Sequence, residues 1–60
     1  MEYTKEEIAN AKKLITVLYP HDNINEDWRV TTSWGTKTHT GLINTILAIV
    51  YPNKIGEIKP

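Results

Sequence analysis

Residues 4–20, TKEEIANAKKLITVLYP, and residues 36–52, TKTHTGLINTILAIVYP, follow the same pattern at an offset of 32 residues. Both stretches begin with Thr-Lys, run through a leucine-rich or β-branched segment and end in Tyr-Pro. Two copies are too few for a solenoid, in which stacked repeats build a continuous core. The match does indicate that the two stretches share a structure and end at the same signal.

The first stretch predicts an amphipathic helix over residues 4–19. Thr4 is a good N-cap, and Glu7 three residues later completes a capping box. Pro20 ends the helix because its ring pushes Tyr19 out of the α region. One side of this helix is apolar, because apolar residues recur at helical spacing. They are Ile8, Ala11, Ile15 and Leu18, and Leu14 widens the stripe.

The second stretch predicts a helix over residues 41–51, GLINTILAIVY. Its isoleucines and valine would also suit a buried strand, but eleven residues is long for a strand in so small a domain. Either Thr38 or Thr40 would cap this helix, and Pro52 would end it. Its broad apolar face consists of Leu42, Ile43, Ile46, Leu47, Ile49 and Val50.

Between the helices, residues 28–34 (WRVTTSW) alternate apolar and polar side chains with the period of a half-buried strand. This alternation puts Trp28 and Trp34 on one face of the strand. Residues 36–40 are either the returning strand of a hairpin or the lead-in to the second helix. The expected fold is therefore α+β, with an N-terminal helix, a short strand or hairpin over 28–40 and a second helix. An all-α arrangement is the alternative.

Length and composition restrict the chain to a single small domain, residues 1–60. A chain this short buries only about 60% of the surface that its unfolded form exposes. Cysteine is absent, which excludes disulfides and thiolate zinc sites, and His21 and His39 cannot complete a metal site alone. We therefore expect no cofactor or metal and predict a homodimer. Near the end of the chain, Ile55 and Ile58 suggest a short edge strand or a docked extension.

The acidic residues that follow Met1 have the wrong charge for a signal peptide. The longest apolar run, residues 46–51, is six residues, whereas a membrane span needs about 20. These features predict a cytoplasmic protein without a membrane partner.

The sequence contains no Gly-rich phosphate loop, nucleophile elbow or zinc-protease motif. His21-Asp22 and Glu26-Asp27 are neighbours without the geometry of a catalytic pair. We therefore expect not an enzyme but a small protein-binding module, a regulator or inhibitor that occludes a larger protein. The abundance of Ile, Lys, Asn and Thr is typical of an A/T-rich genome and suggests a phage or mobile element acting against a host or defence protein.

Two sets of residues are candidates for contacts with other chains. Tryptophan, tyrosine and arginine dominate binding hot spots, but the tryptophans could equally fill the core, because phenylalanine is absent. The predicted partner-binding residues are Trp28, Arg29, Trp34, Lys37 and His39. The predicted dimer interface uses the second helix, through Leu42, Ile46, Ile49 and Val50.

The net charge of zero argues against general nucleic-acid binding. The charge is uneven, since residues 1–27 carry six acids and three lysines and residues 28–60 carry four basic residues and one acid. Either the acidic first half and the basic second half attract each other, or the second half presents a basic face to an acidic partner. Residues 29–47, RVTTSWGTKTHTGLINTIL, resemble the turn and recognition helix of a helix-turn-helix, with Thr36 to His39 at the groove. That resemblance implies, as an alternative, a DNA-binding regulator using residues 34–47.

Overall fold

Two helices flank a β-hairpin along the chain in this computed structural model, which describes residues 2–54. The order is α1 (Lys5–Leu18), β1 (Arg29–Thr32), β2 (Gly35–Thr38) and α2 (His39–Val50). The predicted α+β fold is confirmed. The all-α alternative is wrong, because the residues between the helices form an antiparallel hairpin. The predicted tail element at Ile55 and Ile58 lies outside the described residues.

The first turn of α1 is held by the predicted capping box. The Thr4 hydroxyl accepts a hydrogen bond from the Glu7 N–H at 3.1 Å, and the Glu7 carboxylate accepts one from the Thr4 N–H at 2.7 Å. Two of the four N–H groups that a helix start leaves unpaired are thereby satisfied.

Both helices end in the same way, as the repeat predicts. Tyr19 (φ −128°, ψ 62°) and Tyr51 (φ −122°, ψ 66°) each donate the backbone N–H to the carbonyl four residues earlier. A turn follows in which Asp22 N–H reaches the Tyr19 carbonyl at 3.3 Å and Lys54 N–H reaches the Tyr51 carbonyl at 3.2 Å. Proline occupies the second position of each turn, where its restricted φ is favoured.

The start of α2 differs from the prediction by two residues. The helix begins at His39, and its N-cap is Thr38, whose hydroxyl accepts from the Gly41 N–H at 3.0 Å. The prediction placed the start at Gly41, which is instead the third helical residue. The reason is that β2 runs up to Thr38 and passes directly into the helix, without an intervening loop.

The hairpin has a clear inner and outer side. Val30 pairs with Lys37 and Thr32 pairs with Gly35, and the side chains of Val30, Thr32 and Lys37 are half-buried. The intervening residues point outward and are exposed. The structure corrects the predicted alternation over 28–34: Trp28 precedes β1, and Trp34 lies in the turn after it, so the two tryptophans do not share a strand face.

The core lies between the two helices and the start of the hairpin. It consists of Ala11, Ile15, Trp28, Leu42, Ile43 and Leu47. Two pairs in this set are related by the repeat offset: Ala11 with Ile43, each 2% exposed, and Ile15 with Leu47, each fully buried. The repeat therefore describes which side of each helix is buried, as well as where the helices end.

The helices run antiparallel, so the start of α1 lies beside the end of α2. There the Tyr3 and Tyr51 rings are 6.4 Å apart, and the Lys54 ammonium contacts the Glu7 carboxylate at 2.6 Å. The Lys54 hydrogen bond, with help from the Thr4 N–H, holds the pKa of Glu7 below its usual range. Within residues 2–54, neither helix has the length and apolar character to cross a membrane.

Candidate functional site

The turn of the hairpin presents Trp34 to solvent. Trp34 is 59% exposed, whereas Trp28 is buried and the three tyrosines are half-buried. The Thr32 hydroxyl holds the turn from inside: it accepts from the Trp34 N–H at 3.0 Å and donates to the Gly35 carbonyl at 2.8 Å. Gly35 has a φ of 101°, which side-chain-bearing residues rarely adopt, although a Cβ there would meet no atom. The position of Trp34 is therefore set by its neighbours in the turn.

A groove of about 600 Å³ lies beside this turn. It runs between the hairpin tip, the end of α1 and the first half of α2. Its lining is Leu18, Tyr19, Thr31, Thr32, Ser33, Trp34, Leu42 and Ile46. These side chains are apolar, aromatic or hydroxyl-bearing, and none carries a carboxylate, an imidazole or an amine. The groove thus offers apolar surface and a few hydroxyl groups, the composition of a binding site for an apolar or amphipathic segment.

Trp28, a predicted partner-binding residue, is instead part of the core, with 8% of its surface exposed. Its ring packs edge-on against Tyr19 at 5.5 Å and against His39 at 6.2 Å. Its indole N–H donates to the Asp22 carboxylate at 3.0 Å, which satisfies the one polar atom of the side chain. Trp28 therefore joins the end of α1 to the start of α2. His39, which contacts the Trp28 ring, is half-buried.

The two predicted basic contacts lie on different sides of the hairpin. Arg29 is exposed, but its guanidinium donates to the backbone carbonyls of Glu26 at 3.2 Å and Trp28 at 2.9 Å, so it braces its own loop. Lys37 is half-buried on the inner side, opposite Val30. Of the five predicted residues, Trp34 alone reaches the groove, and the structure does not bring the set together on one surface.

The predicted dimer residues are also divided. Leu42 is 2% exposed and belongs to the core, so at most its edge lines the groove. Ile46 is half-buried and lines the groove. Ile49 and Val50 are open to solvent, at 56% and 47%.

Sequence reasoning missed the contribution of α1 to this surface. Leu18 was assigned to the core stripe, yet it is 64% exposed and lines the groove. Leu14 and Val17 beside it are 44% and 65% exposed. A signal was available, because the apolar stripe of α1 is wider than contact with one other helix requires.

Residues 2–54 contain no group of three or more His, Asp or Glu side chains that could hold a metal ion. A second depression of about 490 Å³, at the start of α2, is lined by Asn25, Glu26, Thr38, His39 and Thr40. The imidazole of His39 packs on Trp28 there.

Comparison with known proteins yields no relative from which a function could be transferred. No protein-family model matches the chain, and neither a curated protein nor a solved structure is significantly similar to it.

Proposed function

We propose that this chain is a non-enzymatic protein-binding module, a regulator or inhibitor that occludes a larger protein by contacting it through the hairpin-tip groove. The observation that carries the proposal is the placement of Trp34. A large aromatic side chain stands 59% exposed on a turn that Thr32 holds in place, beside a groove lined by Leu18 and Ile46.

The energetics of protein interfaces support this assignment. Tryptophan is among the residues that contribute most to binding when a partner buries them, and a turn whose backbone is already held in place loses less entropy on binding. The exposed part of the Trp34 surface adds nothing to the hydrophobic stability of a lone chain. The groove beside it supplies apolar surface that a partner side chain or helix can cover. Its exposed hydroxyl groups, on Thr31 and Ser33, can hydrogen-bond to the rim of that partner.

The DNA-binding alternative has a weaker basis in the fold. A helix-turn-helix requires a helix before its turn, and the chain has β1 at that place. Thr36, Lys37 and Thr38 lie in β2 instead of at the start of a recognition helix. A salt titration of binding to arbitrary duplex DNA distinguishes the two functions, because phosphate contacts weaken steeply as salt rises.

The experiment that tests the proposal compares two single variants in affinity capture from cells of the source organism. Trp34→Ala removes the exposed ring, whereas Thr36→Ala alters an exposed residue of β2 that does not line the groove. We expect the wild type and Thr36→Ala to retain the same protein, identified by mass spectrometry, and Trp34→Ala to lose it while keeping its circular dichroism spectrum. Equal capture by all three proteins would show that the groove is not the binding site.

A further inference from the structure

The exposed apolar residues of the two helices occupy equivalent positions of the internal repeat. At the offset of 32, they form three pairs that together we call the helix face: Leu14 with Ile46, Val17 with Ile49, and Leu18 with Val50. Five of the six are more than 40% exposed, and Ile46 is half-buried. In each helix the three residues are spaced i, i+3 and i+4, so they project from one side.

The antiparallel packing of α1 and α2 gives this face an approximate two-fold symmetry. The ring pair Tyr3–Tyr51 joins one end of the helix pair, and Trp28 joins the other through its contacts with Tyr19 and His39. A half-turn about an axis normal to the pair exchanges the two helices. It also exchanges the two copies of the repeat, so that Val17 takes the place of Ile49. The rotation therefore exchanges the six residues of the helix face in pairs, although the hairpin that packs on α2 has no counterpart at α1.

The size of the helix face approaches what a stable dimer requires. Fractional exposures of 44–65% on five large side chains correspond to on the order of 500 Å² of apolar surface, against about 800 Å² per partner in a standard interface. Polar atoms at the rim ordinarily supply the remainder. The same area is at the upper end of the apolar patches found on monomers, although this chain has only 60 residues.

The electrostatics of the chain allow two copies to approach each other. The formal net charge is zero, so there is no net repulsion between copies, and the six side chains of the helix face are uncharged. A small chain without cysteine also lacks the disulfides that stabilise many domains of this size. Burial against a second copy would supply additional apolar contact.

We propose that a second copy of this chain covers the helix face, forming a two-fold dimer in which α1 and α2 of one copy pack on α1 and α2 of the other. The interface that we infer keeps Ile46, Ile49 and Val50 of the predicted one. It replaces Leu42, which is buried in the core, by the α1 residues Leu14, Val17 and Leu18. This inference goes beyond partner binding through the groove. The two surfaces share Leu18 and Ile46, whereas Val17 and Ile49 belong to the helix face alone and Trp34 belongs to the groove alone.

Sedimentation equilibrium of the wild type and of three variants tests the dimer. We expect the wild type at tens of micromolar to sediment at twice the 6.9 kDa mass of the chain. Val17→Glu and Ile49→Glu each place two carboxylates in a two-fold interface, and should raise the dimer dissociation constant on the order of 100-fold. The two effects should be similar because the two positions are equivalent. Thr36→Glu, on the outer side of the hairpin, should leave the dimer unchanged.

The variants suit the test because Val17 and Ile49 are 65% and 56% exposed, so a charge there does not disturb the core of one copy. Circular dichroism checks that each variant is folded, and Val17→Asn and Ile49→Asn replace any glutamate variant that is not. A wild type that remains monomeric throughout overturns the dimer, as do folded variants that dimerise as tightly as the wild type.

The two proposals fail separately, because Val17 and Ile49 do not line the groove and Trp34 is not part of the helix face. A monomeric wild type that still captures its partner through Trp34 overturns the dimer alone. A dimer sensitive to Val17→Glu whose capture is unaffected by Trp34→Ala supports the dimer and overturns the groove.

Discussion

The two copies of the repeat agree at the ends of their helices and differ at the starts. In both, the last turns bury an equivalent pair of residues, end at a tyrosine with nearly the same backbone angles and continue into a proline turn. At the starts, α1 has a capping box between Thr4 and Glu7, whereas α2 emerges from β2 at Thr38 and has Gly41 where the box would need a glutamate.

This difference separates what local chemistry determines from what packing determines. The helix ends follow from a Tyr-Pro pair, whose effect on the backbone is the same wherever it occurs. The start of α2 depends on the hairpin and Trp28, which pack over it and have no counterpart at α1. As a result Leu42 is buried at 2% exposure, while its repeat equivalent Asn10 is exposed.

The largest expected effect comes from the buried pair at which the copies agree. Ile15→Ala and Leu47→Ala each remove a fully buried side chain, and each should lower the free energy of unfolding by about 2–5 kcal/mol. The two losses should be similar, because the positions are equivalent. Urea unfolding at one fixed protein concentration measures them, since the stability of a self-associating chain depends on concentration.

Leu42 and its repeat equivalent Asn10, which differ in burial, supply a control for the comparison of Ile15 and Leu47. Leu42→Ala should also lower the free energy of unfolding by about 2–4 kcal/mol, whereas Asn10→Ala should change it by less than about 0.5 kcal/mol. Comparable losses at Asn10 and Leu42 would mean that the hairpin does not cover the start of α2 as the structure shows.

Much of the fold could be predicted from the sequence, because its signals are local. The capping box and the proline stops each act on a few neighbouring residues and predict the two helices. The apolar–polar alternation over residues 28–34 predicts the strand between them. The sequence leaves open whether Trp28 fills the core or binds a partner, because its burial depends on contacts with Tyr19 and His39 and on a hydrogen bond to Asp22.

The candidate site was less accessible to sequence reasoning for the same reason. Of the five predicted partner-binding residues, Trp34 alone lines the groove. The alternation that assigned both tryptophans to one strand face took no account of the turn at Ser33. The exposure of Leu18 was hidden by its regular place in the apolar stripe, since periodicity shows which residues share a side of a helix but not how much of that side is covered.

An intermediate effect is expected from the residues that cap the helix starts. Thr38→Ala removes the N-cap of α2, and Thr4→Ala that of α1, so each should lower the free energy of unfolding by about 1 kcal/mol. Thr36 is the repeat equivalent of Thr4 but lies in β2, and Thr36→Ala should cost less than about 0.5 kcal/mol. Thermal unfolding compares the three. Equal losses for Thr36→Ala and Thr38→Ala would contradict the placement of the α2 N-cap at Thr38.

The smallest expected effect is a change in stability with pH that occurs at the start of α1, where Glu7 lies. The pKa of Glu7 is lowered by Lys54 and by the Thr4 N–H, so its carboxylate stabilises the fold above the unfolded-state pKa of about 4.3. That contribution is lost as the pH falls through the lower pKa of the folded state. Glu7→Gln should therefore lower the melting temperature at neutral pH, and its difference from the wild type should shrink in acid.

The start of α2 has no carboxylate that could act in this way, because Gly41 carries none and the first turn of α2 contains no acidic residue. The difference between Thr38→Ala and the wild type should accordingly not follow the titration of a carboxylate. Added salt should reduce the Glu7→Gln difference at neutral pH, because Lys54 and Glu7 retain some solvent contact, at 19% and 16% side-chain exposure. A Glu7→Gln difference that is the same at neutral and acid pH would show that Lys54 does not stabilise the ionised carboxylate, and that the two helix starts differ in their hydrogen bonds alone.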